Sequence, residues 1–320
     1  MKIVLAGEYP EGSYKEISRL FAIDNEVIEI NTMDTYNSMT DAEIIILRVF
    51  KCDKNIISRN KNLKMIVRWG VGYDSVDIKC AGENGIVVTN TPGANSMAVA
   101  ELTLLLILAL NRKLVNHVDS LRKDIWSKND FLNESFTVEN KKIGIIGSGN
   151  IGQSVAKILG ALGGKIQYYD LKKLDASIEK ELSMEYVSLE QLLQTSDIIT
   201  LHIPLIDSTY KFISKEQIEK MKTGTIIINT ARGGLIDEKE LLEAIKNGKI
   251  RGAALDCVEN EPLRSDDELL NNSNIIVTPH IGGGTIDLKD KIIRILAEDI
   301  KCFIENKKEV KHIVNKEWLK

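Results

Sequence analysis

Three side chains in the last third of the chain have the types and settings for acid/base chemistry on an anion. Arg232 lies in NTARGGLID (residues 229–237), Glu261 in ENEPL (259–263) and His280 in TPHIGGGT (278–285). Each follows a strand-like apolar run: TIIIN, AALDC and IIVTP. All three are therefore expected on the carboxyl edge of a sheet, where α/β proteins bind ligands. Arginine presents a planar fork of donors that matches a carboxylate. A carboxylate hydrogen-bonded to an imidazole fixes which ring nitrogen carries the proton, as a general acid/base requires. The alternative for Arg232 is a surface salt bridge, but the adjacent Gly233-Gly234 suggest close backbone approach. Of the other three histidines, His117 and His312 are expected in solvent, and His202, within ITLHIPL, in a hydrogen-bonded structural role.

Upstream, Gly147-Ser148-Gly149-Asn150-Ile151-Gly152 reads GxGxxG. The pattern alone is weak, because a Gly-rich turn need bind nothing. Here a strand-like IGII precedes it, a helical QSVAKILGAL follows, and the next strand, KIQYYD, ends in Asp170. That is the setting of a dinucleotide turn: the first glycine for the turn, the second for backbone approach to the pyrophosphate, the third for close packing, with the helix N-terminus facing the phosphate charge. Asp170 would accept from both adenosine ribose hydroxyls and repel a 2′-phosphate. No arginine follows it, although Lys172 and Lys173 do, and NAD is expected rather than NADP. Asp256, at the end of the AALDC run, is a candidate for the nicotinamide carboxamide, or else caps a loop. Together these groups imply hydride transfer on a small anionic substrate.

The elements that must position them alternate along the chain. Strand-like runs fall at residues 2–6, 27–30, 43–47, 65–67 and 87–89, and again at 143–146, 166–169, 198–201, 225–228, 252–255 and 275–277. They are nearly all apolar, as parallel strands buried on both faces should be. The implied class is α/β, with two doubly wound parallel-sheet domains. A substrate-binding domain is expected from residues 1–95 and 286–320, with a final helix over 287–306 and a tail returning to it. A cofactor domain is expected over 96–285, opening on a long helix at 96–111 and a polar stretch at 112–142. A small-molecule site commonly lies between two such domains.

Bulk properties exclude other classes. The 320 residues carry a net charge of −4, so there is no broad basic surface to recruit nucleic acid or an anionic membrane. Lysine-rich spots at 51–64 and 301–311 alternate with acids and apolar residues and read as solvated faces. Cys52, Cys80, Cys257 and Cys302 show no CxxC or Cys/His spacing, so reduced thiols, no metal site and a cytoplasmic location are expected. The first residues read as a strand rather than a signal peptide. The longest apolar run, 98–110, is interrupted by Glu101 and too short to span a bilayer.

With these residues in view, the chain resembles the D-isomer-specific 2-hydroxyacid dehydrogenases over nearly its whole length. The family's signatures match the dinucleotide turn, NTARGGLID, ALDCVENEP and TPHIGG in order. The resemblance implies a Rossmann-type cofactor domain and a flavodoxin-like substrate domain. It implies that Arg232 binds the substrate carboxylate and carbonyl, that His280 is the acid/base and that Glu261 orients it. NAD contacts would come from Thr103, Gly147, Gly149, Asn150, Ile151, Gly152, Asp170, Pro204, Thr230, Ala231, Asp256, Gly282 and Gly283. In the first domain RWGVGYDSVD matches the loop whose amides grip the carboxylate, here Val71 and Gly72. Trp69 stands where the family usually has a small residue, and could reshape that loop; Cys257 replaces a usual valine.

Within the family the pattern most resembles the phosphoglycerate dehydrogenases, because Arg48 and Arg68 fall where those enzymes hold arginines near the substrate phosphate. Val49-Phe50 departs from their small polar sequence. The pocket wall is expected to include Arg48, Phe50, Arg68 and Trp69. Hydroxypyruvate, glyoxylate and bulkier 2-keto acids are the alternative substrates, and a different class, an NAD-responsive corepressor-like binding protein, is the competing function. The chain stops about where the family's catalytic core does, so regulatory domains are not expected. The resemblance also implies a homodimer through the cofactor domain, using the apolar helix from Ala98 and the linker carrying Trp126 and Phe131.

Overall fold

A parallel strand buried on both faces must be apolar along its length, and the apolar runs of this chain become strands almost to the residue. The computed structural model describes residues 1–305 and 309–319. Among these the strands are β1 (Lys2–Ala6), β2 (Glu26–Ile30), β3 (Ile44–Leu47), β4 (Met65–Arg68), β5 (Val87–Thr89), β6 (Lys142–Ile146), β7 (Lys165–Tyr169), β8 (Met184–Tyr186), β9 (Ile198–Leu201), β10 (Thr225–Asn229), β11 (Ile250–Leu255) and β12 (Ile275–Val277). Every pairing among them is parallel. They divide between two units, Met1–Asn95 with Thr285–Lys320, and Ser96–Gly284.

In the first unit the sheet runs β2-β1-β3-β4-β5, the flavodoxin-like order. All four positions of β3 are buried. The helix Leu288–Glu305 packs on the helix Ser13–Phe21 of the same unit. The tail then pairs with β5: Ile313 bridges Thr89 antiparallel, and buried Asn315 accepts from Val88 N at 2.9 Å and donates to Ile86 O at 2.9 Å. The end of the expected last helix, Asn306, and two lysines of the last basic spot, Lys307 and Lys308, lie outside the described residues. His312 is not in open solvent as its tail position suggested. Its Nδ1 lies 3.0 Å from Oδ2 of Asp299, a carboxylate that is itself buried.

In the second unit the sheet runs β12-β11-β10-β9-β6-β7-β8. Counted from β6, this is the Rossmann order 3-2-1-4-5-6 with one more strand beyond the sixth. Strand order reverses between β6 and β9, so their carboxyl ends flank the crevice where such sheets bind ligands. The helix Ser96–Asn111 packs on the helix Asn150–Ala161 and on β10, β11 and β12. Its sequence gave no amphipathic stripe because it is covered on most sides, with ten of its residues buried. The edge strand β8 escaped the sequence reading because only Met184 of its three residues is buried, so MEY carries no apolar run. No described helix is long and apolar enough to cross a membrane.

Candidate active site

The Gly-rich turn leaves β6 at its carboxyl end, and its three glycines are required for different reasons. Gly147 adopts φ 100°, and a Cβ there would sit 2.5 Å from the His202 carbonyl oxygen, so the turn presses against the end of β9. Gly152 is packed on the turn itself: its Cβ would lie 2.1 Å from the Gly147 carbonyl oxygen. Gly149 has nothing within 4 Å on its side-chain side and is exposed. It is also the N-cap of the helix Asn150–Ala161, and no side chain caps that end. The helix thus presents open backbone N–H groups at its positive end, beside a glycine that lets an anion approach. Asn150 is exposed there and Ile151 half-buried.

Asp170 follows β7 and reaches back to the turn. Its Oδ2 accepts from Ser148 N at 2.7 Å and Ser148 Oγ at 2.9 Å, and its Oδ1 accepts from Leu171 N at 2.7 Å. The carboxylate is therefore held beside the turn by protein donors, with lone pairs remaining for hydroxyl donors. Uncapped amides as donors, an open glycine for close approach and a fixed carboxylate as acceptor are suited to a dinucleotide. Pro204 is exposed on the loop after β9. Thr103 is buried, its hydroxyl donating to Val99 O at 2.8 Å and pairing with Thr230 Oγ1 at 2.9 Å.

The reactive groups are brought together by the loops after β10, β11 and β12. After β10, Asn229 organises the turn: its Nδ2 donates to Arg232 O at 2.7 Å and its Oδ1 accepts from Ala231 N at 3.0 Å. Arg232 Nη1 donates to Ala231 O at 2.6 Å, which sets the direction of the side chain. Gly233 does mark close backbone approach, and what approaches is the neighbouring loop: a Cβ there would fall 1.9 Å from the carbonyl carbon of Val258.

Asp256, at the end of β11, is buried, and it joins the loops. Its N donates to Asn229 O at 2.8 Å. Its carboxylate accepts from Thr278 Oγ1 at 2.6 Å, Ile281 N at 2.8 Å and Gly282 N at 2.8 Å. Of the two roles the sequence left open for Asp256, this structure displays the loop cap. His280 lies within the capped loop in the left-handed region, φ 55°, and its N donates to Asp256 O and Thr278 O, both at 2.9 Å. Histidine is among the residues that tolerate this conformation. The outcome is that His280 Nδ1 lies 3.0 Å from Glu261 Oε2 and 3.2 Å from Oε1, with both side chains exposed. Glu261 also accepts from Val258 N at 3.2 Å, and the Glu261–Pro262 peptide is cis. With the carboxylate ionised, Nδ1 carries the proton and Nε2 keeps the lone pair of a proton acceptor. Cys257 Sγ lies in the same cluster, with Sγ donating to Ala231 O at 3.4 Å. Sequence spacing gave no sign of this, because the three groups meet only across two loops. Gly283 is exposed beside buried Gly282.

The remaining expected residues lie in the first unit. Arg48 follows β3 and donates to Glu8 O, and Arg68 ends β4, where its Nη1 donates to Leu47 O at 3.0 Å and Trp69 O at 2.7 Å. Trp69 is buried edge-to-face on Tyr9, ring centroids 5.0 Å apart. Val71 O accepts from Asn90 Nδ2 at 2.6 Å, and Gly72 is half-buried beside it. Phe50 corrects an expectation. It does not line a pocket wall but packs into the core on Tyr36, centroids 4.9 Å apart, because the chain turns its side chain inward while Val49 stays exposed.

Comparison with known proteins agrees with this geometry. The family described as "D-isomer specific 2-hydroxyacid dehydrogenase, NAD binding domain" matches residues 104–282. A hydroxypyruvate reductase of Thermotoga maritima is 42% identical over 81% of this chain and 84% of its own length. A D-3-phosphoglycerate dehydrogenase of Methanocaldococcus jannaschii is also 42% identical, over 82% of this chain, which spans about half (49%) of that relative. Among solved structures, the holo form of a D-mandelate dehydrogenase from Rhodotorula graminis superposes with a TM-score of 0.90 at 29% identity, covering 98% of this chain and 97% of that one.

His202 sits where the turn meets β9. Its Nε2 lies 3.0 Å from Thr200 Oγ1, while its buried Nδ1 has no partner among the described residues. Burial pushes the imidazole down from its ordinary 6.5 to about 3. The unfolded chain therefore binds this proton below about pH 6.5 while the folded chain stays neutral, so the stability it contributes is present above 6.5 and lost as pH falls toward 3. We expect His202→Gln, which cannot titrate, to lose less melting temperature than the parent between about pH 7 and about pH 5. Parallel thermal profiles would contradict this.

Proposed function

The chain belongs to the D-isomer specific 2-hydroxyacid dehydrogenase family and is an NAD-dependent oxidoreductase, and we propose that it interconverts a D-2-hydroxy acid with its 2-keto acid, 3-phosphoglycerate being the favoured substrate. The observation that carries this reading is the His280–Glu261 pair at 3.0 Å on the same sheet edge as Arg232. The cofactor, when bound, supplies hydride transfer at the carbinol carbon. The helix N-terminus at Gly149 and Asn150, with Asp170 beside it, would hold its phosphates and ribose. In the oxidative direction His280 Nε2 takes the hydroxyl proton, and in reduction it returns it. Glu261 is the positioning residue that keeps the other proton on Nδ1. Arg232 pairs with the substrate carboxylate and favours charge developing on the reacting oxygen.

The choice of 3-phosphoglycerate rests on Arg48 and Arg68, which stand at the carboxyl ends of adjacent strands β3 and β4, each with its guanidinium held by backbone carbonyls. Two pre-set cations suit a phosphate. Of the Val49-Phe50 pair that departs from the small polar sequence of those enzymes, Phe50 is packed into the core and Val49 is exposed. A second reading, hydroxypyruvate reduction, is favoured by the Thermotoga maritima relative, which matches over most of its own length.

The proposed assembly is a homodimer. The helix Ser96–Asn111 is largely used within its own unit, so the apolar surface left for a partner is the helix Leu114–Leu121 with Trp126. Leu114, Val118 and Leu121 are 50%, 37% and 51% exposed and Trp126 is 82% exposed, too much apolar surface to leave in water without reason.

Three measurements test these assignments. His280→Ala should lower turnover by about a hundred- to ten-thousand-fold with NADH affinity unchanged; surviving turnover would refute the acid/base role. Arg48→Ala should raise KM for 3-phosphoglycerate by about tenfold or more and leave hydroxypyruvate reduction near the parent rate, whereas an equal loss on both would remove the phosphate assignment. Sedimentation should show a dimer that Leu121→Asp with Trp126→Asp converts to monomer, and a monomeric parent chain would exclude the dimer.

A further inference from the structure

We propose that Cys257, Glu261 and His280 form a binding site for a soft divalent cation of the Zn²⁺ type, and that filling it stops turnover; the second half rests on the acid/base role proposed for His280. One ligand atom from each residue, a thiol sulfur, a carboxylate oxygen and a ring nitrogen, lies within 4.8 Å of the others. In a tetrahedral zinc site with bonds of about 2.0–2.3 Å, such atoms stand about 3.5 Å apart. The closest pair here, His280 Nδ1 and Glu261 Oε2 at 3.0 Å, is already inside that spacing. Cys257 is buried two residues beyond β11, whereas Glu261 and His280 are exposed and can adjust. Three protein ligands with an open side toward solvent is the arrangement of a zinc centre that keeps one position for water or a small anion.

The donor set also says which ions are admitted. A thiolate beside an imidazole and one carboxylate favours Zn²⁺ over Mg²⁺ or Ca²⁺, which prefer all-oxygen shells. Binding breaks the Cys257 S–H bond and releases that proton to solvent, because the thiolate is the ligand. It also replaces the His280–Glu261 hydrogen bond by two bonds to the metal. Ligation through Nδ1 moves the Nδ1 proton to Nε2, which then has no lone pair to take a hydroxyl proton, and ligation through Nε2 occupies that lone pair directly. The ring is metallated where it would otherwise cycle between neutral and protonated forms. Zinc and turnover are thus mutually exclusive at His280. No spacing in the sequence reveals this, since Cys257 and Glu261 come from the loop after β11 and His280 from the loop after β12.

The experiment uses the whole protein with two readouts. Co²⁺ titration should give one equivalent of a thiolate-to-metal charge-transfer absorption, and it should vanish in Cys257→Val. In turnover assays Zn²⁺ should inhibit reversibly, relieved by a chelator, with Mg²⁺ inert. Cys257→Val should keep metal-free turnover and NADH binding, the latter reporting that it is folded. The Zn²⁺ concentration for half-inhibition should rise by about a hundredfold or more. Absence of the cobalt band in the parent, equal zinc sensitivity in parent and variant, or equal inhibition by Mg²⁺ would each overturn the site. A normal cobalt band with turnover unaffected would instead keep the site and overturn the role given to His280, which separates the two claims.

Discussion

The chemistry of this protein depends on one buried carboxylate. Asp256 ends β11 and has almost no contact with water, so its charge must be compensated by directed donors. It receives three, Thr278 Oγ1, Ile281 N and Gly282 N, all from the loop after β12. Hydrogen bonds to a charged group contribute about 1.5–3 kcal/mol each, enough to hold a short glycine-rich loop in one shape. The same residue's N–H is paired with Asn229 O at the end of β10, so three successive sheet-edge loops are tied at a single residue. Without that tie nothing obliges His280 to adopt a left-handed backbone or to face Glu261. The distance between the candidate proton carrier and its carboxylate is in this sense a consequence of how Asp256 is satisfied.

A second constraint acts at the β6/β9 reversal. Gly147 abuts the His202 carbonyl, Gly152 abuts the Gly147 carbonyl, and Ser148 is held by Asp170. The turn is therefore clamped from three directions, leaving the Gly149 side as its open approach. Clamping lowers the entropy that a ligand would otherwise have to remove on binding. It also shows what the GxGxxG spacing selects. Two of the glycines answer to protein backbone pressed against them, and only one to the space a phosphate needs.

Much of this was legible in the sequence, for identifiable reasons. Parallel strands covered on both faces announce themselves as apolar runs, and those runs located every strand of the two sheets except β8, which is short, at an edge and mostly polar. Residues placed at strand ends, Arg232, Asp170, Asp256 and His280, could be assigned to a sheet edge from spacing alone. What sequence could not give was the direction of side chains. Phe50 reads like a pocket wall but turns into the core on Tyr36; His312 reads like a solvated tail residue but meets buried Asp299. Cys257 stands where the family usually has a valine but lies beside Glu261 and His280. Each of these depends on a contact between different elements or loops, which no local pattern encodes.

The same logic explains why the identity of the acid is harder to read than the reaction. The side chains proposed to act at the reacting centre, Arg232, Glu261 and His280, belong to the second unit and sit on loops ordered by backbone contacts and by Asp256. A hydroxypyruvate reductase, a phosphoglycerate dehydrogenase and a mandelate dehydrogenase share that end of the substrate, so likeness to all three constrains the chemistry and not the remainder of the molecule. In the first unit, Arg48 donates to the Glu8 carbonyl and Arg68 to the Leu47 and Trp69 carbonyls. A guanidinium held in that way is pre-oriented but can be redirected by one substitution in the loop that holds it, such as Trp69 for a small residue. The reactive groups of the second unit and the arginines of the first are stabilised by separate sets of interactions, so a substitution around Arg48 or Arg68 leaves the loops tied by Asp256 undisturbed.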